Sequence, residues 1–138
     1  MTPKRCAALH ATCFTTPRPW SQAEFESLLQ SPNIFLCDDP SGFAMGRIAG
    51  PEAELLTIAV KPEARGNGIG RALLNRLEIQ SVKLGATELF LEVATNNVAA
   101  LALYTSAGFS QCGQRKDYYE ISKGSRLSAA VFKKLLVT

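Results

Sequence analysis

Two groups of residues have the types and spacing to do chemistry. The first is Arg65-Gly66-Asn67-Gly68-Ile69-Gly70-Arg71, which follows the apolar run Leu55-Leu56-Thr57-Ile58-Ala59-Val60 and leads into a helical pattern. Three glycines in five residues at a helix start let backbone N–H groups converge without Cβ interference. The helix dipole adds partial positive charge there, between Arg65 and Arg71. Such a strand, turn and helix suits a phosphate or pyrophosphate. The spacing G-x-G-x-G misses the dinucleotide pattern G-x-G-x-x-G/A, and no G-K-[ST] follows. A plain tight connection between strand and helix would use the same glycines.

The second group runs from Glu88 to Tyr104. Glu92 falls on a strand expected to be central, where an unpaired carboxylate is costly and calls for a partner, a water chain or a function. A strand-end glutamate reaching solvent is the plainer alternative. Asn97, Ala100, Leu101 and Tyr104 fall at i, i+3, i+4 and i+7, which puts the amide and the phenol on one helical face. A core tyrosine with one hydrogen bond has the same spacing.

The elements that must position these groups are legible from periodicity and punctuation. At 138 residues, with 46% hydrophobic and 20% charged residues, the chain is expected to form one domain over residues 1–138 with a real core. A short helix opens near Pro3, with Cys6, Leu9, His10 and Cys13 at helical spacing, and Pro17 and Pro19 end that segment. His10 reads as a packed or half-exposed helix residue. Ser21 and Glu24 form a capping box ahead of a second helix carrying Phe25, Leu28 and Leu29. Strands at Ile34 to Cys37, Phe43 to Ile48 and Glu54 to Val60 form an antiparallel meander, with turns at Asp38 to Gly42 and Gly50-Pro51.

A central helix from about Gly68 to Gly85 carries Ile69, Leu73, Leu77 and Leu84 on one stripe, with Arg71, Asn75, Glu78 and Lys83 away from it. The strand Glu88 to Val93 follows this crossover and is expected to run parallel to the Leu55 to Val60 strand. A helix from Val98 to about Ala107, capped by Asn96 or Asn97, and strands at about Gln111 to Tyr119 and Leu127 to Leu135 complete the domain.

Composition adds bounds. The net charge of +3 suits an anionic ligand or an acidic partner, and no direct nucleic-acid contact is expected from it. Cys6, Cys13, Cys37 and Cys112 lack C-x-x-C spacing and His10 has no paired ligand pattern, so no metal is expected. There is no basic-then-apolar leader and no apolar run of roughly 18 residues, so the reading is a cytoplasmic protein with reduced thiols and no membrane association. The oligomeric state is not specified.

The stretch Phe90-Leu91-Glu92-Val93-Ala94-Thr95-Asn96-Asn97-Val98-Ala99-Ala100-Leu101-Ala102-Leu103-Tyr104, followed by Ala107-Gly108-Phe109, resembles the L-E-V-x-x-x-N-x-x-A-x-x-L-Y-x-x-x-G-F segment of bacterial ribosomal-protein alanine N-acetyltransferases. The Arg-x-x-Gly-x-Gly loop resembles the acyl-CoA pyrophosphate loop of their GNAT superfamily. Trp20-Ser21 lies upstream, and Arg115-Lys116-Asp117-Tyr118-Tyr119 is similar to that family's R-x-x-Y-Y, so the resemblance spans Phe14 to Tyr119.

It implies an α/β GNAT fold, a mixed and mostly antiparallel twisted sheet flanked by helices, whose two central parallel strands splay into a slot. It implies acetyl-CoA as cosubstrate, with Ile58, Ala59 and Val60 bonding the acetyl-pantetheine arm by backbone. Arg65, Gly66, Asn67, Gly68, Ile69, Gly70 and Arg71 would hold the pyrophosphate, and Asn97 and Tyr104 would also touch CoA. Glu92 would be the general base and Tyr104 the general acid, with Trp20, Tyr118 and Tyr119 on the acceptor. A protein N-terminal amine, perhaps on a ribosomal protein beginning with Ala or Ser, is the implied acceptor. A small amine, a lysine side chain, or a non-catalytic acyl-CoA-binding role are the alternatives, the last favoured if Glu92 is salt-bridged and inaccessible.

Two departures from the family pattern stand out. The sequence begins at the first helix, without residues for the edge strand that usually precedes it. Ahead of the last strand it has Lys123-Gly124-Ser125-Arg126-Leu127-Ser128 in place of Gly-x-Glu-Asp, and Lys133-Lys134 near the end reads as a solvated strand face.

Overall fold

The computed structural model describes residues 1–14, 18–122 and 124–136, apart from the side chains of 120–122. Pro17 and Lys123, named above for a helix stop and a departure, lie outside the described residues. In chain order the elements are α1 (Pro3–Cys13), α2 (Gln22–Gln30), β1 (Ile34–Asp39), β2 (Gly42–Ala49), β3 (Glu52–Val60), a short 3-10 turn (Pro62–Ala64), α3 (Ile69–Lys83), β4 (Glu88–Ala94), α4 (Val98–Ser106), β5 (Ser110–Ser122) and β6 (Ser125–Leu135).

The six strands form one sheet in the order β1-β2-β3-β4-β6-β5. Every neighbouring pair is antiparallel except β3 and β4, which α3 connects and which run parallel as expected. No described helix is long and apolar enough to cross a membrane.

Local chemistry explains the boundaries. Thr2 accepts the Arg5 N–H at the start of α1, with Pro3 in the first turn. The Ser21 and Glu24 capping box opens α2. Asn97, not Asn96, caps α4 by accepting the Ala100 N–H at 3.1 Å.

The sheet is covered on both faces. On one, Leu73, Leu74 and Leu77 of α3 pack with Leu55, Leu89, Leu91 and Phe132, and α4 lies on the same side. On the other, Cys6 and Leu9 of α1 and Phe25 of α2 pack against Phe43, Met45 and Ala59.

Three expectations need correction. The buried stripe of α3 continues to Ser81, whose hydroxyl donates to the Leu77 carbonyl at 2.7 Å, whereas Leu84 follows the last helical residue and is 42% exposed. Glu78 is not on the solvent side: its side chain is 15% exposed and lies 2.8 Å from Lys134 Nζ. Lys134 is not on a solvated strand face either. It shares strand parity with buried Phe132 and so points into the helix layer. There its ammonium donates to the Ala107 carbonyl at 2.7 Å, at the negative end of α4.

Opposite these, His10 ties α1 to β3. It is 1% exposed, Nδ1 accepts the Trp20 backbone N–H at 3.0 Å, and Nε2 lies 3.0 Å from Thr57 Oγ1. Burial pushes its pKa down from 6.5 to about 4, and Glu24 offsets this only in part. The unfolded chain takes up a proton below pH 6.5, but the folded chain does not until about pH 4. The stability that His10 contributes is therefore fully present above 6.5 and lost as pH falls through that window, by up to about 3 kcal/mol. Urea unfolding at stepped pH should show this slope as the difference between wild type and His10→Gln. A difference that stays constant from pH 6.5 to 4 would contradict a buried neutral imidazole.

Candidate active site

The site begins where the sheet parts. β3 and β4 pair only from Glu52 with Glu88 to Leu55 with Leu91. Beyond that, β3 stays on β2 as far as Val60 and β4 stays on β6 as far as Ala94, but they no longer hold each other. The parting coincides with a β-bulge. Gly46 of β2 faces Leu55 and its neighbour Met45 faces Thr57, so Leu56 has no opposite number. The extra residue reverses the alternation of β3. Leu55 lies in the α3 cluster, whereas Ala59, which regular alternation would put on the same side, lies in the α1 cluster.

A slot lies between the parted strands. His10, Phe14 and Trp20 wall one side, Thr57 and Ile58 come from β3, and Glu92, Tyr104 and Tyr119 complete it. A second cleft runs from Ile58–Val60 past Asn97 to the glycine turn. Phe14, Ile58 and Asn97 line both, so the two adjoin along one trough.

At the glycine turn, Gly66 and Gly68 adopt φ of 83° and 76°, values that only glycine takes without strain. Gly68 is the N-cap of α3 and supplies no side chain to it. The first helical bond runs from the Ala72 N–H to the Gly68 carbonyl at 3.0 Å, which leaves the amides of Ile69, Gly70 and Arg71 without helical acceptors. A 15-residue helix thus presents open donors and the positive end of its dipole to the cleft. Arg65 and Arg71 line it too, although the Arg71 guanidinium also donates to the Ser106 hydroxyl and carbonyl at 3.1 and 3.3 Å. Asn67 does not line the cleft; its amide turns back to the Ala64 carbonyl at 3.0 Å.

Glu92 is ion-paired and still reachable. Arg115 Nε is 2.9 Å from its carboxylate, yet the side chain is 22% exposed and lines the slot. Burial pushes its pKa up, Arg115 pulls it back, and Glu54 pushes it up again, the net shift being upward. The condition that would favour a non-catalytic role is met only in its first half.

Tyr104 is buried, packs edge-on to Phe109 at 5.9 Å, and its phenol is held well above its ordinary range by burial, so it keeps its proton. Burial, with Glu92 adding to it, raises Tyr119 to about 12.

Tyr118 and Tyr119 pack edge-on with ring centroids 5.0 Å apart but line different surfaces: Tyr119 lines the slot, and Tyr118 lines an outer depression with Arg47, Glu54 and Arg115. The β5–β6 ladder breaks between Arg115 and Tyr119, where Asp117 has φ of 53° and Arg115 lies 4.9 Å over the Tyr118 ring. Sequence reasoning missed the parts played here by His10, Thr57 and Arg115. The one available signal was Thr57, a polar residue inside an apolar run. A carboxylate, a protonated phenol and a cradle of open amides along one trough can bind an anionic carrier and move protons at its reactive end.

Comparison with known proteins agrees with this chemistry. Residues 5–109 match the acetyltransferase (GNAT) family model. The chain is 40% identical over 128 residues to the N-alpha-acetyltransferase RimI of Mycobacterium tuberculosis, covering 86% of this chain and 79% of that protein. It is 36% identical over 122 residues to the [Ribosomal protein bS18]-alanine N-acetyltransferase of Escherichia coli strain K12, covering 86% and 82%. The crystal structure of the ribosomal-protein-S18-alanine N-acetyltransferase from Escherichia coli superposes with a TM-score of 0.86 at 30% identity, over 99% of this chain and 88% of that one.

The two opposing influences on Glu92 can be separated. Arg115→Met removes the cation that favours the carboxylate and leaves the burial, so the Glu92 pKa should rise further above the ordinary carboxylate value. Carboxyl-detected NMR titration of both proteins checks this. An unchanged or lower value in the variant would mean that the ion pair does not act on Glu92.

Proposed function

The chain belongs to the GNAT acetyltransferase family and is an acetyl-CoA-dependent N-acetyltransferase; on that premise we propose that its acceptor is the α-amine of a protein N-terminus, on a ribosomal protein beginning with Ala or Ser. The observation that carries the reading is the trough itself: a slot with Glu92 and Tyr104 in its walls adjoins a cleft that ends at the start of α3, where no side chain caps the helix. The identities of 40% and 36% to enzymes named for N-α-acetylation and for bS18-alanine acetylation support the choice of acceptor.

The residues present fit acetyl-CoA. The amides of Ile69, Gly70 and Arg71, with Arg65, would hold the pyrophosphate, since clustered donors at a helix N-terminus match a dianion. The edge of β3 from Ile58 to Val60, free of β4, would bond the pantetheine arm, with Asn97 beside it. When bound, acetyl-CoA supplies an acyl group activated as a thioester.

Glu92 takes a proton from the attacking amine, directly or across one water, and its raised pKa brings its basicity towards that task. Tyr104 Oη, kept protonated by burial, gives a proton to the departing sulfur. A protein α-amine has a pKa of about 7.7 to 8.0 against about 10.4 for lysine, so near neutral pH one carboxylate is a sufficient base for it.

Peptides with a free Ala or Ser N-terminus and an internal lysine should be acetylated on the α-amine, as read by fragment-ion mapping. A product carried mainly on lysine, or labelling of polyamines alone, would reject this acceptor while leaving the cosubstrate untouched. Glu92→Gln should lower kcat by about a hundredfold or more with little change in acetyl-CoA affinity; wild-type turnover across the pH range would point to another base.

Gly68→Glu places a side chain on a positive φ and a negative charge at the cradle. Calorimetry on the folded variant should detect no acetyl-CoA binding, and retained affinity would displace the pyrophosphate from this turn.

A further inference from the structure

His10, the single histidine of the chain, has no part in the proton transfers above, yet it stands in the wall of the slot. Its hydrogen bonds settle its tautomer. The Trp20 backbone N–H can only donate, so Nδ1, 3.0 Å away, presents its lone pair. In the neutral ring the proton is then on Nε2, which donates to Thr57 Oγ1 at 3.0 Å. Stacking against Phe14 at 4.3 Å and Trp20 at 5.1 Å keeps the ring from turning.

A hydroxyl that accepts in this way still has its own proton to give. Thr57 follows the bulged residue, where β4 has already left β3, and shares the slot with Glu92. Its side chain has His10 as its described partner.

We propose that His10 is a positioning residue that sets the Thr57 hydroxyl as a fixed donor inside the slot, and that Thr57 reads the carbonyl oxygen of the acceptor's first residue. This rests on the N-terminal reading and gives it a specificity-determining contact. An α-amine bears a carbonyl on the adjoining carbon, whereas the ε-amine of lysine and the amines of a polyamine are flanked by methylenes. A buried donor left without an acceptor disfavours the wrong amine more than a lost contact alone would. The neutrality of the pair matters as well. An imidazolium in this wall would repel an incoming α-ammonium, and a neutral ring holding a neutral hydroxyl does not.

The test is a double-mutant cycle in kcat/KM. One axis is Thr57→Val, which keeps the shape and removes the hydroxyl, with Thr57→Ser as the variant that retains it. The other axis is the acceptor: an Ala-terminated peptide against the same peptide with an (E)-alkene in place of its first amide. The alkene keeps the α-amine and the extended geometry but has no carbonyl.

Wild type and Thr57→Ser should prefer the carbonyl-bearing peptide by about tenfold more than Thr57→Val does, the size of one satisfied hydrogen bond. Acetyl-CoA affinity by calorimetry should be equal in all three. His10→Leu should behave as Thr57→Val does, and His10→Gln, whose amide can still donate to Thr57, as wild type. Equal preference in wild type and a folded Thr57→Val overturns the inference and leaves the N-terminal reading intact. Preferential labelling of an internal lysine by the wild-type enzyme overturns both.

Discussion

A sheet does not readily part its two central strands, because every N–H and C=O that loses a ladder partner must find another or face solvent. Here the parting after Leu55 and Leu91 is bounded by substitutes. The Cys13 thiol reaches the Val60 carbonyl at 3.3 Å, and the Asn97 N–H closes a turn on the Ala94 carbonyl at 3.0 Å. What remains of the facing edges borders the trough. The bulge at Leu56 serves the same end by rotating the rest of β3, so that Thr57 meets His10 while Ile58 packs towards the α3 layer. Function at this place follows from a fold that withholds a few hydrogen bonds and compensates for them nearby.

The electrostatics of the slot follow from the same enclosure. His10 is kept neutral, and Tyr104 and Tyr119 are kept protonated, all by burial first. Among the residues lining the slot, Glu92 is then the one carboxylate. Burial alone would drive it towards the neutral acid, which is useless as a base. Arg115, reaching across from β5, opposes that drive, so the carboxylate is raised but not overwhelmed. The net upward shift of this carboxylate carries both influences, and they arrive from different strands.

Much of this was legible in the residues themselves. The element order, the parallel β3–β4 pair, the caps at Ser21 and Asn97 and the glycine turn all express local chemistry that periodicity and turn residues carry. The errors share a cause. Lys134 and Glu78 looked like solvent-facing charges because each was read on its own element, but strand parity with Phe132 sends Lys134 inward, and Glu78 meets it there. Arg115 and Glu92 are 23 positions apart in sequence, and no local pattern announces that β4 and β5, on either side of β6, will bring them together. His10 was placed correctly as a packed helix residue; its partners, Trp20 and Thr57, belong to segments that only the tertiary fold juxtaposes.

Why Arg71 points to α4 and not wholly into the cleft has an electrostatic reason. The start of α3 and the end of α4 lie side by side, since the Arg71 guanidinium spans from one to the other. The carbonyls that end α4 carry partial negative charge, which would weaken the field of the α3 amides at an anion nearby. Arg71 covers the Ser106 carbonyl, and Lys134 covers that of Ala107, so two cations neutralise this end of the helix. Side chains that suppress a competing dipole would thus strengthen what the α3 amides offer an anion, and a basic residue beside such a helix start need not be aimed at the anion to contribute.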